Sequence, residues 1–178
     1  MMLEKVINQQ VIETERFDLR PLRVSDSALI ELYAGDERVA RNTTSIPHPL
    51  PPGTTEDFVR RAQTQDRVED VWAMDAVKAE GPELMGLISL TRMDRAQAEI
   101  GYWVAPAFWN TGLAQEAVAA LLRANPLGCE TIFASVFQDN PASARVLTKQ
   151  GFEYLGDAET FSVARGANVA TWTYSLKC

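Results

Sequence analysis

The segment FWNTGLAQEAVAALL, residues 108–122, contains the first candidate for chemistry in this sequence. It begins as a polar turn and continues as a helix with an apolar stripe, without a strongly charged side chain at the junction. A helix N-terminus carries unpaired backbone N–H groups and about half a positive elementary charge, so it attracts anions without a lysine. Gly112 lets the backbone approach a ligand closely, and Asn110 can adopt the left-handed conformation. The segment therefore indicates a phosphate site, although it is also typical of an ordinary strand-to-helix connection.

Composition restricts the classes of protein to which the chain can belong. Its 178 residues fit one domain over 1–178. The net charge of −7 opposes nucleic-acid binding and suits a cationic partner. Cys129 and Cys178 lack metal-site spacing, so we expect free thiols, a cytoplasmic location and no metal. Residues 1–10 lack signal-peptide features, and no apolar run approaches the roughly 20 residues of a membrane helix, so we expect no membrane contact.

Alternating strand-like and helix-like stretches predict a mixed α/β fold that would support the turn. In the first half, Ser25 is a suitable N-cap for one helix, and Thr54 or Thr55 for a second. The proline-rich stretch 45–53 predicts a loop. Strands are predicted at 16–22, 71–77, 84–90 and 98–104, with a hairpin turn at 80–82.

The second half contains two predicted helices and three predicted strands. The first helix follows the turn at 108–112 and ends before Pro126. Asn140 is a suitable N-cap for the second helix, with Pro141 at its first position, and Gly151 ends it. The strands are predicted at 131–137, 152–156 and 169–176, with a turn at 164–168 before the last.

Three segments of the chain carry a resemblance: ETERFDLRPLRVSD (13–26), AEIGYWVAPAFWNTGLAQEAV (98–118) and VFQDNPASARVLTKQGFEYLG (136–156). In this order and at these separations they resemble the GNAT superfamily of acetyl-CoA-dependent N-acyltransferases, in its ribosomal-protein (RimJ/RimL) branch. The first segment is similar to that branch's first strand and helix entry, the second to its fourth strand and pyrophosphate loop, and the third to its next strand, helix and Gly-Phe ending. The resemblance implies an α/β, or α+β, single domain with a mostly antiparallel sheet, helices on both faces and splayed central strands.

The resemblance also implies which residues bind acetyl-CoA. The pyrophosphate would lie on the backbone of Asn110, Thr111, Gly112, Leu113 and Ala114. Asn110 and Thr111 stand where the family usually has a glycine and a basic residue, and Trp109 replaces the leading polar residue. We therefore expect weakened binding, because Thr111 supplies no positive charge.

The resemblance implies that the pantetheine arm lies beside the predicted strand at 98–104, which corresponds to the family's fourth strand. Backbone N–H groups of Trp103 and Val104 would bind the arm and the thioester carbonyl, while the Trp103 side chain is equally explained by core packing. Asn140 would contact the arm and also cap its helix.

Amine attack on a thioester requires a deprotonated amine, a polarised carbonyl and a stabilised thiolate. Glu99 matches a glutamate of the family and is the candidate base, directly or through a water; a solvated or salt-bridged strand residue is the alternative. The family's tyrosine acid falls on Leu147, so Ser143 is the candidate proton donor, although polar residues are common in a first helical turn. His48 is interpreted as an incidental loop residue, Arg60 and Arg61 as a solvated helix face, and Tyr102 as core.

These residues predict an N-acetyltransferase that moves acetyl from acetyl-CoA to a primary amine in a ternary complex. The amine belongs to a protein N-terminus or to a small molecule, since the branch includes both. A CoA-binding sensor or scaffold without turnover is the alternative, because Asn110, Thr111 and Leu147 depart from the family. A dinucleotide-dependent oxidoreductase is disfavoured, because no G-x-G-x-x-G follows an early strand. The resemblance also suggests a homodimer.

Overall fold

Eight strands within residues 9–178, the part that the computed structural model describes, form one sheet. Residues 1–8, over which no signal peptide is expected, lie outside the described part. The strands are β1 (Ile12–Glu13), β2 (Asp18–Pro21), β3 (Glu69–Asp75), β4 (Gly86–Met93), β5 (Gln97–Val104), β6 (Thr131–Phe137), β7 (Glu153–Ser162) and β8 (Ala167–Lys177). The helices are α1 (Ser27–Ala34), α2 (Glu37–Ala40), α3 (Thr54–Ala62), α4 (Leu113–Ala124) and α5 (Pro141–Lys149).

The strand order is β1-β2-β3-β4-β5-β6-β8-β7. Only the β5–β6 pair is parallel among the described strands, and the other six pairs are antiparallel. A parallel pair needs a crossover, which α4 supplies here. The mostly antiparallel mixed sheet is therefore confirmed, and β6 agrees with its predicted bounds.

Helices cover both faces of the sheet, as predicted. On one face, α1 and α3 pack over alternate strand residues such as Val71, Ala73 and Leu87. On the other face, α4 and α5 pack over residues of the opposite parity, such as Met74 and Ile88. Because strand side chains alternate between faces, residue parity tells which helices each strand side chain meets.

Both predicted N-caps of the first two long helices are wrong. Ser25 lies inside a short 3-10 turn, and Asp26 occupies the N-cap of α1 instead. Asp26 is fixed there because its carboxylate accepts hydrogen bonds of 2.8 Å from the buried Arg20 guanidinium. The N-cap of α3 is Gly53, with a φ of 84°, which places Thr54 and Thr55 within the helix.

The remaining elements differ from their predicted bounds or had no sequence signal. β2 is shorter than the predicted 16–22, β3 lies two residues before the predicted 71–77, and β4 begins two and ends three residues after the predicted 84–90. β1 and α2 are too short to produce a periodic pattern, and β7 and β8 are longer than predicted. Stretch 45–53 is irregular, as predicted. Within the described residues, no helix is both long and apolar enough to span a bilayer. Cys129 is buried, Cys178 is exposed, and both are free thiols, as predicted.

Candidate active site

Strands β5 and β6 separate soon after they pair, as the resemblance implies. Their register contains three residue pairs, from Gln97–Thr131 to Glu99–Phe133, although the strands have eight and seven residues. Beyond Glu99 the strands diverge around a cleft of about 1020 Å³. The cleft therefore passes through the sheet and connects its two faces.

All the site residues predicted from the sequence line this cleft. They are Glu99, Trp103, Val104, Asn110, Thr111, Gly112, Leu113, Ala114, Asn140 and Ser143. By parity, Glu99 and Trp103 belong to the α1/α3 face, and Tyr102 belongs to the α4/α5 face. We call the lining by residues 110–114, Tyr102, Asn140 and Ser143 the loop side, and the lining by Glu69, Thr91 and Glu99 the carboxylate side.

The turn before α4 has the backbone conformation predicted for it. Asn110 and Gly112 both have left-handed φ values, 61° and 79°. Gly112 is the N-cap and has no side chain that could accept from the first turn of α4. The first-turn N–H groups are thus open to an anion, and the residues present fit a phosphate group.

Side chains from the N-terminal segment hold this turn from behind. Arg16 donates to the Thr111 carbonyl at 2.9 Å and to the Glu116 carboxylate at 2.8 Å. Thr14 also donates to Glu116, at 2.7 Å. Burial alone would raise the pKa of Glu116, but the hydrogen bonds from Thr14 and Arg16 outweigh it and lower the pKa. Glu116 therefore remains ionised and keeps Arg16 against the loop.

Trp109, at the leading position of the loop, fixes the loop to the end of β5. Its indole N–H donates to the Val104 carbonyl at 2.6 Å. The Arg38 guanidinium lies over the indole, 5.9 Å from the ring centroid. The tryptophan therefore positions the backbone of the loop through a polar contact, although its ring is 40% exposed.

The two predicted backbone donors on β5 lie on opposite edges of that strand, one facing β4 and the other facing the cleft, so one prediction is wrong. The Ala105 N–H donates to Met85 beside β4. Because N–H groups alternate between strand edges, the Trp103 N–H also faces β4, where Leu87 is its partner, and the Val104 N–H faces the cleft. Of the two predicted backbone donors, Val104 therefore remains, while the Trp103 ring lines the cleft and packs edge-on against Tyr33.

Asn140 occupies the N-cap of α5, as predicted, but its side chain makes no capping hydrogen bond within the described residues. The amide lines the cleft and is available to a ligand. Ser143 lies two residues into α5, and its hydroxyl is 2.8 Å from the Tyr102 hydroxyl. Tyr102, predicted to be core, does pack on the core but also lines the cleft.

Glu99 lies in a row of polar side chains that crosses three strands. The register pairs Glu69 with Thr91 and Thr91 with Glu99. Partial burial by the cleft walls raises the pKa of Glu99, although its side chain is solvent-accessible. No hydrogen bond or ion pair to the Glu99 carboxylate occurs within residues 9–178, which argues against a salt-bridged structural role.

Sequence reasoning missed two charged residues on the carboxylate side. Burial raises the pKa of Glu69, against the opposing effects of a 3.3 Å hydrogen bond from Thr91 and of the nearby Arg61 charge. Arg61, predicted to be solvated, lines the cleft, whereas Arg60 pairs with Asp57 outside it. Glu69 lies two residues before Val71 and therefore points to the same face of the sheet. This spacing was the signal from which its position could have been predicted. His48 is exposed and is not part of the cleft lining, in agreement with its interpretation as incidental.

Comparison with known proteins defines the class of protein. A family model described as an acetyltransferase (GNAT) domain matches residues 16–153, most of the chain. The chain therefore belongs to the GNAT acetyltransferase family of acyl-CoA-dependent N-acyltransferases.

Individual relatives agree with that class. The uncharacterized N-acetyltransferase YoaA of Bacillus subtilis (strain 168) is 28% identical over 175 residues, covering 93% of this chain and 96% of YoaA. A GNAT-family acetyltransferase structure from Bacillus anthracis has a TM-score of 0.80 at 20% identity, covering 94% and 98% of the two chains. RimL, a ribosomal L7/L12 alpha-N-protein acetyltransferase solved with coenzyme A, has a TM-score of 0.80 at 16% identity, covering 94% and 98%. The likeness to these two structures establishes the fold.

Proposed function

We propose that this protein transfers an acetyl group from acetyl-CoA to a primary amine, by direct attack in a ternary complex. The observation that carries the proposal is the cleft through the sheet at the β5–β6 divergence. It connects an open helix N-terminus on the loop side with an unpaired carboxylate on the carboxylate side. The cofactor and the amine would enter from opposite faces and meet in the gap.

The loop side would bind the cofactor mainly through its backbone. N–H groups of residues 110–114 would hold the pyrophosphate with the help of the helix dipole. The Val104 N–H and the Asn140 amide would bind the pantetheine arm. The coenzyme A bound in the RimL structure supports acetyl-CoA as the donor.

The carboxylate side would prepare the amine for attack. Glu99 would accept a proton from the amine nitrogen, directly or through one water, as that nitrogen forms its bond to the acetyl carbon. A raised pKa suits this role, because a base works best when its pKa approaches the working pH. Ser143 would donate a hydrogen bond to the sulfur as the C–S bond breaks.

The proposed acceptor is either a protein N-terminus or a small amine. RimL, which has the same fold, is named for an N-terminal acetyl transfer to a ribosomal protein. The acidic chain and the carboxylates Glu69 and Glu99 favour an acceptor that arrives as a cation. The cytoplasmic location and the homodimer stay predictions, which fractionation and light scattering would check.

An acetyl-transfer assay with a panel of amines tests the proposal, with Glu99→Gln as the decisive variant. We expect kcat to fall at least about 100-fold while the Kd for acetyl-CoA stays within two-fold. Glu153→Gln, an exposed residue at the start of β7 that does not line the cleft, is the matched control and should keep full activity. Tight acetyl-CoA binding without transfer to any amine would instead favour the sensor or scaffold alternative.

A further inference from the structure

The Tyr102 side chain connects β5 to helix α5 beside the gap between the diverging strands. Tyr102 is on β5, beyond the last β5–β6 pair, and Ser143 is in the first turn of α5. Their hydroxyl oxygens are 2.8 Å apart, and the Tyr102 hydroxyl is also 3.1 Å from the Ser143 carbonyl oxygen. Both residues line the cleft. A phenol thus fixes the position of the hydroxyl that faces the proposed path of the pantetheine.

Two proton arrangements fit these distances. If Tyr102 donates to the Ser143 carbonyl, the Ser143 hydroxyl can donate to Tyr102, and its proton then points away from the cleft. If Tyr102 donates to Ser143 Oγ, the Ser143 proton is free to point into the cleft. Only the second arrangement provides a donor for an anion in the cleft, and in it the Tyr102 proton follows the 2.8 Å contact to Ser143 Oγ and not the 3.1 Å contact to the carbonyl.

We infer that Tyr102 is a positioning residue of the transfer reaction, whose hydroxyl donates to Ser143 Oγ and thereby directs the Ser143 proton to the departing sulfur. This inference rests on the proposed function. The Tyr102–Ser143 pair takes the place of the tyrosine acid that is absent at Leu147. Tyr102 acts through Ser143 and does not itself touch the reacting atoms.

The pair donates hydrogen bonds and does not give up a proton. Burial raises the pKa of Tyr102 to about 12, and the hydrogen bond with Ser143 opposes that rise only in part. A thiol has a pKa of about 8.5, so a thiolate does not deprotonate this phenol. The step still balances: the C–N bond forms, the C–S bond breaks, the amine proton passes to Glu99, and the thiolate departs as an anion. Solvent protonates the thiolate afterwards.

The pKa of the thiol of bound CoA tests the inference without any turnover. CoA would be titrated on the protein by the ultraviolet absorbance of its thiolate, in the wild type and in Tyr102→Phe. We expect a pKa below that of free CoA in the wild type, and a rise of about half a unit to one unit in the variant. Tyr174→Phe, a buried tyrosine outside the cleft, should match the wild type. Equal values in Tyr102→Phe and the wild type would overturn the inference.

A double-mutant cycle on kcat distinguishes positioning from general support of the cleft. Tyr102→Phe keeps the packed ring and should lower kcat roughly three- to ten-fold with the KM for acetyl-CoA unchanged. In a Ser143→Ala background the same change should have almost no further effect, because its target is gone. Fully additive losses would overturn the inference. An inactive wild type that binds no CoA would overturn the proposed function, and this inference with it.

Discussion

The loop side of the cleft is held by many protein contacts, whereas the Glu99 carboxylate on the other side has no hydrogen-bond or ion-pair partner among residues 9–178. Arg16 donates to the Thr111 carbonyl of the loop, Thr14 donates to Glu116, and the Trp109 indole donates to the Val104 carbonyl at the end of β5. Glu99 makes no hydrogen bond or ion pair within the described residues, and burial raises its pKa. The loop side is therefore organised before a ligand arrives, while the carboxylate side keeps a solvent-accessible carboxylate whose partial burial raises its pKa. The first arrangement suits a constant cofactor, and the second suits proton transfer.

The largest effect should come from titrating Glu99. A general base is active only when it is deprotonated, so kcat should fall as the pH drops below the pKa of Glu99. Because that pKa is raised, the fall should begin at a higher pH than it would for an ordinary glutamate. The profile should be measured with a weakly basic arylamine, because that acceptor is already neutral. Glu99→Gln should abolish this fall of kcat at acid pH, the acid limb of the profile, and should lower kcat about 100-fold. An unchanged limb in Glu99→Gln would assign the titration to another group.

On the loop side, Gly112→Val should cost at least about ten-fold in affinity for acetyl-CoA. Its φ of 79° is strained for a β-branched residue, and the added Cβ would come within 3.5 Å of the Arg16 guanidinium that holds the loop, so the N–H groups of the first turn would be displaced. Gly166→Val is the matched control, since Gly166 has a φ of 62° in the β7–β8 turn with open space around it. Calorimetry should find the Kd unchanged in the control. Equal losses of acetyl-CoA affinity in both variants would mean that backbone strain in general, and not the conformation of this loop, weakens binding.

A smaller effect is expected from Arg16→Ala, which removes the contact behind the loop. The Thr111 carbonyl and the Glu116 carboxylate would lose their shared donor, so the Kd for acetyl-CoA should rise about five-fold. kcat at saturation should change little, because the carboxylate side is untouched. Arg60→Ala, a highly exposed arginine paired with Asp57, should leave the Kd unchanged. A lower kcat with a normal Kd would contradict the division into two sides.

The smallest effect concerns stability on the carboxylate side. Because the pKa of Glu69 is raised in the folded protein, its ionised form is disfavoured there, and this glutamate becomes less favourable to stability as pH rises through that pKa. Glu69→Gln should therefore be more stable than the wild type near neutral pH, by about 0.5 kcal/mol. The gain should shrink at acid pH, where Glu69 is protonated in both states. Thermal unfolding of both proteins at two pH values measures this gain in stability. A gain that does not depend on pH would show that the charge of Glu69 is not its cause.

Local signals predicted the loop side well. The turn before α4 depends on Asn110, Gly112 and the apolar stripe that follows, all of which are neighbours in the chain. The carboxylate side depends on strand register, which brings Glu69 beside Thr91 from 22 residues away. The alternation of residues along one strand shows which face of the sheet a side chain lies on, but it does not show which strand lies beside it. The proximity of Glu69 to Thr91 could therefore not be predicted.

Tertiary contacts also decided the features that were predicted wrongly or incompletely. Ser25 and Asp26 are both good caps, and the buried Arg20 selects Asp26. Alternation placed Tyr102 opposite Glu99 and hence in the core, but the gap beside β5 opens both faces to the cleft. The contact between Tyr102 and Ser143 spans 41 residues and has no local signature.

Calorimetric titration with acetyl-CoA and with acetyl-pantetheine tests the central claim most directly, because the two ligands share the thioester and differ in the pyrophosphate and nucleotide. We predict micromolar binding of acetyl-CoA and at least about ten-fold weaker binding of acetyl-pantetheine. Gly112→Val should remove most of the difference between them. Equal affinities for the two ligands, or no binding of acetyl-CoA, would contradict the assignment of the α4 N-terminus as the pyrophosphate site.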